Sequence, residues 1–371
     1  MKAIPLLLVL AISAQAANVR VEAVPESGVQ PQVVVDAGGT VHLIYLKGDA
    51  KGCDVRYVRR AKGAREWSAP LTVNSTPSTA VAMGTIRGAQ IALGQRGTLH
   101  VLWNGALQSG AGGPGSPLFY TRLEAGQTKF APQRNLLGET GALDGGASIA
   151  ADEKGDVFAV WHGKQPGAAA GETARVVFVA KSADNGKTFA APVVANADFA
   201  GTCGCCSLAA LATPEGQLFA LYRSAHVLDQ RDITLLTSKD TGGTFSRAML
   251  DPWKTAQCPM SSAALLTTPK GVRAAWETNG KIFSTLLDST PAPKEIAATQ
   301  AKHPALAINS KGETLIAWTI GTGWSKGGEL AWTILDATGR PTTARGKGSG
   351  VPVWGHLAAY TEPDDNFVLL R

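Results

Sequence analysis

A short motif that returns along the whole chain constrains the fold more than any other feature. It starts at a glycine, runs through apolar residues and ends on tyrosine or tryptophan, as in residues 39–45 and 97–103. Further copies lie at residues 155–161, 216–222, 271–276 and 312–318, with a weaker one at 365–371. Measured between their last residues, successive copies stand 58, 58, 61, 54, 42 and 53 residues apart. Self-similarity at a period near 50 residues indicates a propeller, a solenoid or an array.

Each copy lies within the same succession of short strands. A first strand, such as residues 31–36 or 88–93, precedes the glycine-initiated strand, and both are apolar nearly throughout. That composition is typical of strands buried on both faces. A third strand follows in six copies and a fourth in most, and four-stranded antiparallel units arranged radially are propeller blades. The sequence therefore predicts an all-β propeller of seven blades, with six blades plus a C-terminal hairpin as the alternative. Residues 19–24 are expected to complete the last blade.

The first sixteen residues have the pattern of a secretory signal peptide. Lys2 gives a positive start, residues 4–12 are apolar, and Ala14-Gln15-Ala16 forms a small-x-small cleavage site. We therefore expect a periplasmic or secreted protein with one propeller domain over residues 17–371. No second long apolar run suggests a transmembrane segment.

Charge narrows the choice of partners. The net charge is +6, but the basic residues form no stripe interleaved with aromatic residues, which argues against nucleic acid. A mildly basic surface suits a glycan, a peptide or another small anionic ligand. We expect the protein to be a monomer.

Two turns between third and fourth strands share the pattern Ser-x-Asp-x-Gly-x-Thr-Phe. Their shared positions are Ser182, Asp184, Gly186 and Thr188 in one copy and Ser238, Asp240, Gly242 and Thr244 in the next. The pattern resembles the Asp-box, or bacterial neuraminidase repeat, of the sialidase-like propellers. The repeated order of strands and turns extends this resemblance over essentially the whole mature chain. The resemblance implies a sialidase-like propeller in which the boxes are structural, since capped amides and a positive-φ glycine hold a tight turn.

The cysteines are predicted to gather on the opposite face. Loops that enter first strands and loops that leave second strands emerge on one face around the channel, which brings Cys203, Cys205 and Cys206 near Cys258. One interpretation is a disulfide from Cys258 to one of the other three, which export permits, because adjacent cysteines rarely bond to each other. The other is a copper or zinc site, with His162, His226 or His356 as nitrogen ligands.

The same face carries the candidate ligand-binding residues. Arginine pairs well with planar anions and tryptophan offers a stacking surface. The candidates are Arg87, Arg223, Arg231, His162, Trp253, Trp324 and Trp354. The combination of Cys-x-Cys-Cys, Tyr-Arg, Arg-Asp-Ile and Cys-Pro-Met also resembles exported sialidase-like proteins, and this resemblance implies that these residues form one site.

A glycosidase is the main enzymatic hypothesis. A true sialidase binds the substrate carboxylate with three arginines and uses a tyrosine nucleophile, a glutamate partner and an aspartate acid. Tyr222 is the candidate nucleophile and Glu277 its partner. The candidate acid is Asp232, with Asp54 and Asp144 as alternatives. However, the family's arginine motif near the start of the propeller is absent, and Tyr222 stands where other copies have tryptophan. We therefore predict a ligand-binding propeller, with an exo-α-sialidase-type hydrolase and a copper- or zinc-dependent envelope protein as alternatives.

Overall fold

The computed structural model describes residues 17–106, 116–141, 143–287 and 293–371. Within these residues the chain forms seven separate sheets, six of four strands and one of three, arranged as the blades of a β-propeller. In the described parts of the chain, helix is limited to the single 3-10 turns Pro25–Ser27 and Gln95–Gly97. The all-β, seven-bladed prediction is confirmed. The predicted signal peptide lies outside the described residues.

The strand order within the blades follows the chain. Blades one to three consist of Val29–Val35, Val41–Asp49, Gly52–Arg60 and Leu71–Thr72; Gln90–Leu93, Leu99–Asn104, Leu118–Leu123 and Arg134–Asn135; and Ser148–Ala151, Val157–Gly163, Val176–Ser182 and Val193–Val194. Blades four to six consist of Ala209–Ala212, Leu218–Arg223, Ile233–Ser238 and Ser246–Asp251; Ala263–Thr268, Gly271–Thr278, Lys281–Leu286 and Lys294–Ala297; and Ala301–Ile308, Thr314–Ile320, Gly328–Leu335 and Pro341–Val351. Blade seven consists of Ala358–Thr361, Phe367–Leu370 and the N-terminal strand Val19–Glu22.

The N-terminal strand closes the ring, as the sequence predicts. Val19–Glu22 pairs in parallel with Phe367–Leu370, so that residues from the two ends of the chain share one sheet. Two ion pairs attach this strand to blades seven and one: Arg20 contacts Glu362 at 2.8 Å, and Arg60 contacts Glu22 at 3.2 Å. The strand covers the edge of Phe367–Leu370, which would otherwise stay unpaired.

The aromatic residue that ends each full copy of the motif packs between blades. Trp103, Trp161 and Trp276 are among the largest fully buried side chains, together with Tyr45 and Tyr222. Trp161 lies in the apolar cluster between blades two and three, whereas Tyr222 lies in the cluster between blades three and four. The motif therefore supplies the large apolar groups that hold neighbouring blades together.

The two turns that resemble Asp-boxes have the same hydrogen-bonded structure. Asp184 Oδ1 accepts from the Thr188 amide at 2.8 Å, and Ser182 Oγ accepts from the Gly186 amide at 2.9 Å. Asp240 and Ser238 repeat these bonds at 2.9 Å and 2.8 Å. The glycines have φ of 78° and 87°, which a side chain would strain. Because each turn joins third and fourth strands, both lie on the face opposite the cysteines.

A central channel of about 720 Å³ runs between the innermost strands of all seven blades. Its lining combines apolar strand residues with polar residues, among them Gln32, Gln90, Ser207, His303 and His356. Among the described residues no helix is long and apolar enough to cross a membrane.

Candidate functional site

Loops of blades four and five are joined on the channel face by a disulfide. Cys205, in the loop entering blade four, is bonded to Cys258, in the loop entering blade five, with 6.5 Å between their Cα atoms. The sequence predicts a bridge from Cys258 to one of three cysteines, and the structure shows which one it is. The link adds to a backbone hydrogen bond between the same two loops, from the Ser207 amide to the Ser261 carbonyl at 3.2 Å.

Two free thiols lie beside this disulfide. Cys203 Sγ is 3.3 Å from Cys205 Sγ and donates to Cys206 Sγ at 3.6 Å. Both thiols are buried, with residue exposures of 1% and 2%. The bond from Cys203 and the nearby charge of Arg223 lower the pKa of Cys206 to about 6, against the effect of burial, whereas the same bond and burial raise the pKa of Cys203. Cys206 is therefore the more acidic thiol of the pair.

Three cysteine sulfurs lie close together, as they would in a metal site, but one of them is in a disulfide and cannot act as a thiolate ligand. The Sγ atoms of Cys203, Cys205 and Cys206 lie within 4.8 Å of one another. Since Cys205 is oxidised, only two thiols remain, whereas structural zinc takes four ligands. No histidine joins this group among the described residues. The structure therefore favours the disulfide interpretation of the cysteine pattern.

The three histidines suggested as metal ligands have other contacts. His162 Nε2 donates to the Cys206 carbonyl at 3.0 Å, and burial lowers the pKa of His162 to about 4, so its ring is neutral. His226 stacks on Phe199 with 4.2 Å between ring centroids. His356 Nδ1 donates to the Leu357 carbonyl at 3.1 Å. His162 is thus the one that touches the cysteine loop, and it does so through the backbone.

An arc of alternating charges passes along the channel face from blade two to blade four. Arg87 Nη2 contacts Asp144 Oδ1 at 2.5 Å, and Arg231 Nη2 contacts Glu172 Oε2 at 2.7 Å. Arg175 lies between these pairs: burial lowers its pKa, and the carboxylates of Asp144 and Glu172 oppose that shift. Glu172 also accepts from the Gly204 amide at 2.6 Å, so the arc is attached to the cysteine loop.

A second, more deeply buried ion pair joins blades four and five. Arg223 contacts Glu277 Oε2 at 3.5 Å, donates to the Glu277 carbonyl, and donates through Nη1 to the Arg231 carbonyl at 2.8 Å. Its guanidinium lies 5.0 Å from the Trp253 ring centroid. Arg223 therefore links its partner Glu277 to the loop of Arg231, and its positive charge acts on the Cys206 thiol.

Several buried polar atoms near the cysteine loop have no hydrogen-bond partner among the described residues. They are Arg231 Nε and Nη1, Arg223 Nε, His162 Nδ1, Thr202 Oγ1 and Ser224 Oγ. Because His162 Nε2 donates its proton to a carbonyl, the Nδ1 atom is an acceptor. The arginine atoms are donors, and a buried unpaired donor costs about 1–3 kcal/mol. An anion that reached these guanidinium groups would recover that free energy.

The three candidate tryptophans lie in different surroundings. Trp253 stacks on Arg223 within the cysteine group, and its amide donates to Asp232 Oδ1 at 2.9 Å. Trp324 is 44% exposed and lies 5.7 Å from the Arg87 guanidinium, so it reaches from blade six to the entry loop of blade two. Trp354 has a φ of 58° and a buried indole nitrogen without a partner among the described residues. Only Trp253 joins the cysteine group.

The candidate catalytic residues do not converge on open space. Tyr222 is 1% exposed, its hydroxyl accepts from Asn196 Nδ2 at 3.4 Å, and burial raises its pKa to about 12. Glu277 is held by Arg223 and by the Gly280 amide at 2.7 Å. Asp232 is buried and accepts from Gln230 and Trp253. These placements suit packing and loop structure better than nucleophilic attack on a sugar.

Sequence reasoning missed Glu172 and Arg175. They lie in the loop that leaves the second strand of blade three, the position that Arg231 occupies in blade four. Comparing equivalent exit loops from blade to blade would have found them, whereas a motif search could not.

The fold and this face together define a seven-bladed propeller with a cysteine-and-arginine site at the channel mouth.

A scan against protein-family models and a search of curated proteins each returned no match. Searches of solved structures found similar folds. A Hadza microbial sialidase has a TM-score of 0.53 and 14% identity, over 79% of this chain and 63% of that chain. An α-L-arabinofuranosidase from Fusarium graminearum has a TM-score of 0.56 and 12% identity, over 87% and 98%.

A Trypanosoma rangeli sialidase has a TM-score of 0.53 and 13% identity, over 79% of this chain and 52% of that chain. The chain therefore spans less than two thirds of the length of both sialidases. At these identities the likeness shows the fold, a sialidase-like propeller, and not the chemistry.

Proposed function

We propose that this protein is an exported binding propeller that takes a small anionic ligand, such as a carboxylate-bearing glycan or peptide, on its cysteine-bearing face. The observation that carries the proposal is the set of buried guanidinium donors on Arg231 and Arg223 that lack partners among the described residues. Guanidinium groups donate strong hydrogen bonds to carboxylates, and the unpartnered Nε and Nη1 atoms of Arg231 offer donors on the two edges of the group beside the Nη2 atom that holds Glu172.

The proposed ligand would compete with carboxylates that the protein itself supplies. Asp144 and Glu172 already neutralise Arg87 and Arg231. The side chains of Asp144 and Glu172 are only partly buried, whereas those of the two arginines are buried. An entering anion would therefore replace Glu172 on Arg231 or bind beside it. This competition favours a ligand with several contacts over a simple ion, because the ligand must bind the arginines more strongly than the carboxylates that already neutralise them.

Calorimetric titration with sialylated and uronic-acid glycans and with acidic peptides tests the proposal. Saturable binding is expected, with Arg231→Ala lowering the affinity at least about tenfold, which corresponds to ~1.4 kcal/mol. Arg65→Ala is the matched control, since Arg65 is exposed on the turn between the third and fourth strands of blade one and the charge change is the same. Equal loss in both variants, or no saturable ligand, would contradict the proposal.

Glycoside hydrolysis is the second candidate, favoured by the fold likeness to sialidases and an arabinofuranosidase. In this reading Tyr222 is the nucleophile, Glu277 its partner and Asp232 the acid. Turnover of fluorogenic α-sialosides or α-L-arabinofuranosides, lost in Tyr222→Phe, would support it. Absence of turnover together with ligand binding would support the binding function.

The export and the monomeric state are parts of the same proposal. Cleavage after Ala16 predicts a mature N-terminus at Ala17, which N-terminal sequencing of the protein from a periplasmic or culture fraction would identify. Light scattering during gel filtration would give the mass of the particle. Retention of residues 1–16 on the purified protein would contradict the signal-peptide interpretation.

A further inference from the structure

We propose that Cys203, Cys205, Cys206 and Cys258 form a thiol–disulfide relay that carries two electrons from a buried dithiol to a disulfide of an external partner. The relay is independent of the anion-binding function. It stands on the arrangement of four sulfur atoms, of which two form a disulfide and two are thiols in contact with it or with each other.

The geometry orders the four sulfurs from the interior to the surface. Cys203 and Cys206 are buried, Cys205 is partly buried and Cys258 is exposed. Cys203 Sγ touches both Cys205 Sγ, at 3.3 Å, and Cys206 Sγ, at 3.6 Å, so it is the shared neighbour of the disulfide and the second thiol. A buried thiol placed against a disulfide is set for exchange, whereas a merely structural bridge needs no such neighbour.

The first exchange needs no outside reagent. With Cys206 as a thiolate, Cys203 passes its proton to Cys206 along the hydrogen bond, and the resulting Cys203 thiolate attacks Cys205 Sγ. The bond between Cys203 and Cys205 forms as the bond between Cys205 and Cys258 breaks, and Cys258 leaves as a thiolate at the surface. Cys206 then attacks Cys203 Sγ, the bond between Cys203 and Cys205 breaks, and Cys205 leaves as a thiol with the proton that Cys206 held. The disulfide has moved to Cys203 and Cys206, and the two electrons have moved to Cys205 and Cys258, of which one is a thiol and the other a thiolate.

The external step consumes a disulfide of the partner. The exposed Cys258 thiolate attacks that disulfide and displaces one partner thiolate, forming a mixed disulfide. Cys205 attacks Cys258 Sγ, restores the bond between Cys205 and Cys258 and releases the second partner thiol. The partner gains two electrons, and the chain then holds two disulfides. The substrate class is therefore a solvent-accessible disulfide in a protein or a small molecule.

Trapping with N-ethylmaleimide under native conditions and without reductant tests the internal exchange. Trypsin places Cys203, Cys205 and Cys206 on residues 188–223 and Cys258 on residues 255–270, so non-reduced mass spectrometry reads the linkage directly. The expected result is release of 255–270 with modified Cys258, and an internal disulfide between Cys203 and Cys206 on 188–223. Peptides that stay cross-linked throughout the incubation would overturn the relay.

Two serine variants locate the step, provided that their unfolding temperatures match that of the wild type. Cys203→Ser should abolish release of the 255–270 peptide, since the shared neighbour is gone. Cys206→Ser should still release it, but with the new bond between Cys203 and Cys205. Release that persists unchanged in Cys203→Ser would contradict the proposal. As a second readout, oxidised glutathione should bring the wild type to two disulfides per chain, and loss of the second disulfide is expected in Cys203→Ser.

Discussion

Arg223 and Glu277 form an ion pair in which each side chain is only 2% exposed, at the junction of blades four and five. Arg223 follows the aromatic residue of its motif copy, and Glu277 does so in the next blade. Since removing one partner leaves a buried charge uncompensated, Glu277→Ala should lower the free energy of unfolding by about 3–5 kcal/mol. Glu277→Gln keeps the acceptor for the Gly280 amide and should cost less. Urea unfolding measures both, and equal losses would contradict this account of the pair.

The disulfide fixes the number of free thiols that the protein should show. The chain has five cysteines and one disulfide among the described residues, so denatured protein prepared without reductant should show three thiols, and five after reduction. A colorimetric thiol assay measures this. One of the three is Cys53, whose pKa burial raises to about 12 and whose thiol donates to the Ala80 carbonyl, so it should react slowly in the native state. Five thiols before reduction would contradict the disulfide.

Buried histidines should make the protein sensitive to mild acid. Burial lowers the pKa of His100, His162 and His356 to about 4, below the usual value near 6.5. The unfolded chain therefore binds more protons between these values, and stability should fall as pH drops from about 6.5 towards 4. His100→Gln should flatten this dependence, measured as unfolding temperature between pH 7 and pH 5. An unchanged slope would show that His100 does not titrate on unfolding.

The ionised carboxylate of Asp184 should stabilise the folded protein at neutral pH, and this contribution should be lost in strong acid. Bonds from the Thr188 hydroxyl and amide hold the pKa of Asp184 below its usual value. Because the folded pKa is depressed, the contribution is present above about pH 4 and is lost as pH falls through the folded pKa. Asp184→Asn should therefore lower the unfolding temperature at pH 7 and lower it less near pH 2. Asp240→Asn, in the equivalent turn, is the matched comparison.

Removal of the N-terminal strand should open the propeller. Deleting residues 17–24 exposes the edge of Phe367–Leu370 and removes the ion pairs of Arg20 and Glu22. The truncated protein should unfold at lower urea concentration and associate through the free edge. Gel filtration and urea titration measure the two effects. The variant Val21→Thr, at an exposed position of the same strand, should behave like the wild type.

The repeated motif made the number of blades and the closing strand predictable. Its glycine, apolar run and terminal aromatic residue reflect local physics: a turn, a strand buried on both faces and a group that fills the space between blades. The same logic gave Tyr222 a packing position, because other copies have tryptophan there, and the structure places it in the core between blades three and four. It also placed the cysteine loops on neighbouring blades of one face.

The repeat pattern alone was enough to predict an all-β propeller of seven blades with cysteines and arginines on one face. The three-dimensional packing was needed to show that Cys205 is the partner of Cys258, that Cys203 lies between the disulfide and Cys206, and that Glu172 and Asp144 neutralise Arg231 and Arg87. The difference comes from distance along the chain. Strands and turns follow from neighbours along the chain, whereas disulfide pairing and ion pairing depend on distances of a few ångströms between loops of different blades.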